Sequence, residues 1–141
     1  MSLVLDSSVA LAWVYAGETT EAVTEVFELL SQGSGWVSGL WRLEVANVLE
    51  MDVRRHRHNA EFRDKTLADL ALLPIHVDPE TDRQAWGASA RLATRRQLTL
   101  YDAAYLELAL RRGLPLATRD KDLRRAAKGE NVELLGVWIG D

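Results

Sequence analysis

The chain has 141 residues, 48% hydrophobic and 27% charged, a composition that suits one domain with a real core and not a disordered chain. It contains no cysteine, which excludes a disulfide framework, a thiolate metal site and a cysteine nucleophile. A net charge of −4 argues against coating nucleic acid through bulk positive charge, so any polyanionic substrate needs local help.

The segment "SLVLD" at 2–6 predicts a short strand ended by Asp6, and "SS" then leads into a helix over "VALAWVYA". In "ETTEAVTEVFELLSQGSG", Ala22, Val23, Val26, Phe27, Leu29 and Leu30 recur at helical spacing until Gly33 stops them. "GWVSG" is a second strand. "LWRLEVANVLEMDVRRHRH" reads as a long helix with a basic C-terminal end, and "AEFRDKTLADLALL" as another, ended by Pro74. "PIHVD" is a brief strand, and "PETDRQAWGASARLATRRQ" is expected as one helix running from a Pro start to Arg95 and Arg96. A helix over "LYDAAYLELALRR" is ended by Gly113, "LPLAT" makes a strand, "DKDLRRAAKG" a short helix and "VELLG" a last strand. Strand–helix alternation with short, continuous apolar strands predicts a mainly parallel sheet covered by helices on both faces, one α/β domain over 1–141.

No apolar run approaches the roughly 20 residues of a membrane span, and "MSLVLDSS" lacks a signal-peptide pattern, so a cytoplasmic location is expected.

In open parallel sheets ligands bind beyond the carboxyl ends of the strands, and Asp6 and Asp120 each follow a predicted strand. Asp102, in the first turn of its helix, is expected at the same rim. Each acid also has a structural reading. Asp102 three residues after Thr99 fits a capping box, and Asp6 fits a turn or cap. Glu44 shares a helix stripe with Leu40, Asn47, Val48 and Met51, where a buried carboxylate needs a partner, either a cation such as Arg42 or a metal. Acids gathered at one rim repel one another unless a divalent cation neutralises them, and oxygen ligands select hard ions, Mg²⁺ or Mn²⁺ over Zn²⁺.

Other signals point less far. His56 and His58 in "RRHRH" do not share a helical face and read as a solvated end, and "GSG" at 33–35 is no phosphate loop. The arginines at 54, 55 and 57, at 91, 95 and 96, and at 111 and 112 read mainly as solvated faces with some capacity for phosphate. The nearly all-apolar "VALAWVYA" is either buried or covered by another chain, with Trp13 and Tyr15 as expected anchors.

Taken together, "LVLDSS", "LEVANVL", "YDAAYLELA" and "LPLATRDKDL" resemble a PIN domain of the VapC toxin type, over essentially the whole chain. The resemblance implies a three-layer α/β/α fold with about five short strands and an Mg²⁺-dependent endoribonuclease in which a metal-activated water attacks an RNA phosphodiester. By the family motif the catalytic and metal-holding acids are Asp6, Glu44, Asp102 and Asp120, with Asp122 as an alternative in the "TRDKD" loop. Ser8, Asn47 and Thr118 are expected to position the substrate or a carboxylate. The resemblance further implies a homodimer and a VapB-type antitoxin seated in a groove. Two rivals are an Mg²⁺-dependent phosphatase or phosphotransfer domain, which usually has a second Asp where this chain has Ser8, and a non-catalytic binding module of the same fold.

Overall fold

The apolar runs form five strands: β1 (Ser2–Leu5), β2 (Ser34–Val37), β3 (Ile75–Val77), β4 (Leu116–Ala117) and β5 (Leu134–Leu135). In this computed structural model, which describes residues 1–136, they pair in the order β3-β2-β1-β4-β5 with every pair parallel. Residues 137–141, included in the domain expected over 1–141, lie outside the described residues. Leu3, Val4 and Leu5 of the central strand are buried, as expected for a parallel strand covered on both faces.

Eight helices are present among the described residues: α1 (Ser7–Val14), α2 (Glu21–Gln32), α3 (Trp41–Arg54), α4 (Ala60–Ala71), α5 (Thr81–Gln84), α6 (Ala88–Arg96), α7 (Leu100–Arg112) and α8 (Lys121–Gly129). A single 3₁₀ turn, Ala16–Glu18, joins α1 to α2. The result is the expected three-layer α/β/α architecture. The strand order reverses at β1, which has β2 on one side and β4 on the other. In such a sheet the crevice beyond the carboxyl ends of β1 and β4 is where a ligand fits.

Helix α7 is the most deeply set, with every residue from Ala103 to Ala109 buried. Its Glu107 is therefore buried as well, and Arg111 one turn later satisfies it through Nε and Nη2 at 2.8 and 3.0 Å. The same guanidinium reaches Asp78 at 2.6 and 3.2 Å, joining α7 to the end of β3. Arg111 holds the Asp78 carboxyl below its ordinary range against the opposing effect of burial.

Three sequence expectations need correction. The helix expected through "RRHRH" ends at Arg54, because the chain turns at His56 with φ of 60° and Asn59 caps α4 by accepting from Phe62 N–H. The helix expected over "PETDRQAWGASARLATRRQ" is two, α5 and α6, broken around Gly87, a poor helix former whose backbone leaves helical geometry. The buried stripe of α3 is Trp41, Val45, Leu49 and Asp52 rather than the one carrying Glu44. Val48 and Asn47 are exposed and Glu44 is only half-buried.

Candidate functional site

Asp6 follows β1 directly and is 4% exposed. Its side chain makes no capping bond to α1, so the turn-or-cap reading fails. Three hydroxyls hold it instead. Thr118 Oγ1 donates to Oδ2 at 2.6 Å, Ser8 Oγ donates to the same oxygen at 2.9 Å, and Ser7 Oγ lies 3.3 Å from Oδ1. Thr118 follows β4, so its bond ties the ends of the two central strands together across the crevice.

The loop after β4 is built onto the same hydroxyls. Asp120 N–H donates to Thr118 Oγ1 at 3.1 Å and Arg119 N–H to Ser8 Oγ at 3.0 Å. Asp120 caps α8, its Oδ1 accepting from Leu123 N–H at 2.8 Å. Asp122 is exposed and pairs with Arg125 at 2.8 Å.

Among the described residues, Glu44 in the first turn of α3 has no arginine partner. The phenol of Tyr105, wholly buried on α7, donates to its Oε1 at 2.5 Å. Burial raises the Glu44 carboxyl above its ordinary range, the Tyr105 bond opposes that rise, and the charge on Asp6 adds to it. Burial beside Glu44 likewise pushes the Tyr105 phenol far above the usual tyrosine range.

Thr99 caps α7 by accepting from Asp102 N–H at 3.2 Å, as the capping reading expects. The Asp102 carboxyl is nonetheless under strong electrostatic pressure. It is pushed up to about 6 from 3.8, first by burial and then by the charges of Asp120, Asp6, Glu44 and Asp122. Elements far apart in sequence thus bring Asp6, Glu44, Asp102 and Asp120 into one electrostatically coupled group, with Asp122 the weakest contributor.

Each of three acids has one oxygen committed to the protein's own donors: Oδ2 of Asp6, Oε1 of Glu44 and Oδ1 of Asp120. The other oxygen of each keeps capacity for a cation or water. Among the described residues, no three carboxylate or imidazole side chains stand close enough to grip one ion together. Hard oxygen donors under mutual repulsion, set apart in this way, fit Mg²⁺, which keeps several of its waters and takes one or two carboxylates directly.

Of the expected positioning residues, Ser8 and Thr118 are in the site, whereas Asn47 is exposed on α3. Trp13 uses its indole N–H within the chain, donating to Val23 O at 2.8 Å. Its ring lines a groove of about 270 Å³ with Val14, Phe27, Phe62, Leu70 and Leu73. Tyr15 is not in that groove; its hydroxyl bonds to Asp52 and lies 3.1 Å from His58 Nε2. His58 is accordingly part of a polar joint between α1, α3 and α4 and not a solvated end.

Sequence reasoning missed Tyr105, Arg119 and the Arg111 cluster. A buried tyrosine needs a partner for its hydroxyl, and Tyr105 three residues after Asp102 was a readable signal. Nothing comparable marked Arg119.

The model of the PIN domain family matches residues 3–129. The chain belongs to the PIN domain family. This PIN domain is similar in structure to PAE2754 from Pyrobaculum aerophilum, at 24% identity and TM-score 0.69 over 95% of this chain and 83% of that one. It is also similar to VapBC2 from Rickettsia felis bound to a DNA fragment from its promoter, at 12% identity and TM-score 0.62, covering 95% and 97%. A third likeness is to VapC20 of Mycobacterium tuberculosis, a sarcin-ricin-loop-cleaving toxin, at 18% identity and TM-score 0.61, covering 88% and 94%. At these identities the likeness is one of fold. No curated protein matches the PIN domain significantly in sequence. Among the described residues, no helix is long and apolar enough to cross a membrane.

Proposed function

We propose that this PIN domain is an Mg²⁺-dependent endoribonuclease, the toxin of a VapC-type toxin–antitoxin pair, with Mn²⁺ as a substitute ion. One observation carries the reading. Asp102 is held near 6 by burial together with three neighbouring acids and a fourth, weaker one, an arrangement that a bound divalent cation relieves and that serves no evident purpose in a purely structural domain. Asp6, Glu44, Asp102 and Asp120 are the residues that would hold the ion, one or two of them directly and the others through its waters. Asp122 is set aside because it is exposed and already paired with Arg125.

When bound, the ion supplies a Lewis acid for phosphoryl oxygens and makes water a better nucleophile near neutral pH. The chain's part is to hold the ligands ready. Thr118 and Ser8 fix Asp6 through Oδ2, so that Oδ1 carries only the longer Ser7 contact, Tyr105 fixes Glu44 through Oε1, and the α8 cap fixes Asp120 through Oδ1. This is the outer-shell orientation that metal ligands require. Ser8 donates to Asp6 and accepts from Arg119 N–H, so it acts as a brace and not as the second acid of a phosphotransfer site.

A VapB-type antitoxin and a second copy of the chain are the partners of this reading, and RNA is the substrate. The apolar groove beside Trp13 is the seat for the antitoxin. The similarity to VapBC2 and VapC20 supports this assignment.

The test is incubation of purified, antitoxin-free protein with total cellular RNA in Mg²⁺ or Mn²⁺, beside EDTA and Asp6→Asn controls. Discrete fragments that vanish in both controls are expected. Cleavage that persists in Asp6→Asn removes the site from the reaction, and metal binding without any cleavage favours a non-catalytic domain.

A further inference from the structure

A ring of carboxylates repels an RNA backbone, and the bound cation offsets only the charge next to it. Most of the arginines are already committed elsewhere: Arg95 and Arg96 to Glu130, for example, and Arg111 to Asp78 and Glu107. Arg119 differs in both place and commitment. It stands between Thr118 and Asp120, and its N–H is bonded to Ser8 Oγ, itself bonded to Asp6, so its backbone is fixed to the site. Its side chain is barely held. Among the described residues it makes one ion pair, with Glu18 of the 3₁₀ turn, Nη1 to Oε2 at 3.8 Å, with side chains 32% and 44% exposed. A pair that long and that wet contributes little to stability.

We propose that Arg119 anchors a backbone phosphate of the RNA beside the carboxylates, exchanging Glu18 for the phosphate as the substrate arrives. The inference rests on the nuclease reading above and deepens it. A guanidinium matches a phosphate with two parallel N–H donors, and that charge-assisted pair is stronger than its contact with Glu18. Glu18 then serves as a placeholder that keeps the cation off the neighbouring acids in the free protein.

The test measures binding of a fluorescently labelled, mixed-sequence single-stranded RNA by anisotropy across a salt series, with Ca²⁺ in place of Mg²⁺. Wild type is compared with Arg119→Ala, Arg119→Lys and Glu18→Gln. Arg119→Ala is expected to weaken binding about tenfold and to reduce the slope of log affinity against log salt by about 0.7, the value for one phosphate contact on a single strand. Arg119→Lys keeps the slope and recovers part of the affinity. Glu18→Gln binds as tightly as wild type or more tightly, although it also breaks the ion pair. In cleavage with Mg²⁺, Arg119→Ala raises KM with kcat little changed. The proposal fails if Arg119→Ala retains wild-type affinity and slope, or if Glu18→Gln weakens binding as Arg119→Ala does, which makes the pair merely structural. Wild type that neither binds nor cuts RNA overturns the nuclease reading and this inference together, whereas wild-type behaviour of Arg119→Ala overturns the inference alone.

Discussion

Replacing Asp102 by Asn should make the metal-free protein more stable at neutral pH and no more stable in acid. The Asp102 carboxyl sits at about 6 against an ordinary 3.8, through burial and then the charges of Asp120, Asp6, Glu44 and Asp122. A shift of about two units corresponds to about 3 kcal/mol at most, and partial exposure of the side chain reduces this to about 1–2 kcal/mol. The sign follows from linkage. Below about pH 3.8 the group is protonated whether folded or unfolded and contributes nothing, while above about pH 6 it is charged in both states and destabilises the fold in full. Asn keeps the shape and removes the charge. Urea unfolding in EDTA, followed by circular dichroism, should show a gain of about 1–2 kcal/mol at about pH 7.5 and none at about pH 3.5, with m unchanged. Added Mg²⁺ should stabilise wild type more than the variant. An equal gain at both pH values, or no gain at neutral pH, would refute the idea of a charged, mutually repelling cluster.

Tyr105→Phe should lose about 1–2 kcal/mol and push the Glu44 carboxyl further up, because the phenol is what opposes its rise, and urea unfolding with an NMR titration of Glu44 would show both. Thr118→Val keeps the volume but strips Asp6 of a donor and leaves the Asp120 N–H unpaired. A loss of about 2–3 kcal/mol is expected, largely restored in Thr118→Ser, and a valine variant as stable as wild type would count against the hydroxyl bridge. Arg111→Met should cost about 3–5 kcal/mol by leaving Glu107 buried without its cation and Asp78 with only the longer 3.8 Å pair to Arg112. Because the folded Asp78 carboxyl lies below its ordinary 3.8, the contribution of that pair is present above this value and fades as pH falls through the lowered one. The gap between wild type and Arg111→Met measured by thermal unfolding should therefore narrow in strong acid.

The sheet was legible because each strand is a short apolar run between a helix stop and a polar residue, and Asp6, Thr118 and Asp120 fall where such runs end. Asp102 was legible by its place in a first helical turn, although its capping partner Thr99 is equally real. Glu44 was found for a reason that did not hold. The stripe argument assigned the wrong buried face to α3, since Trp41 and Asp52 face inward while Val48 is exposed. Periodicity cannot distinguish two faces that both carry apolar residues. Contacts that need two distant segments were out of reach for the same physical reason: Tyr105 with Glu44, Arg111 with Asp78 and Tyr15 with Asp52 are each set by packing and by no local rule. The break at Gly87 was readable from the low helix propensity of glycine, but the expectation rested on the Pro start and the basic end of the segment.

The bond from Thr118 to Asp6 spans 112 positions of sequence, and β1 finds its second neighbour only when β4 is available. During synthesis at about 5–20 residues per second, the first acid therefore waits some seconds on the ribosome with half of its sheet environment missing. Until Thr118 and Asp120 have emerged, neither the hydroxyl bridge nor the fourth acid exists. A chain cut short before Thr118 lacks both the bridge that fixes Asp6 and the carboxylate of Asp120, so the group of acids is assembled last.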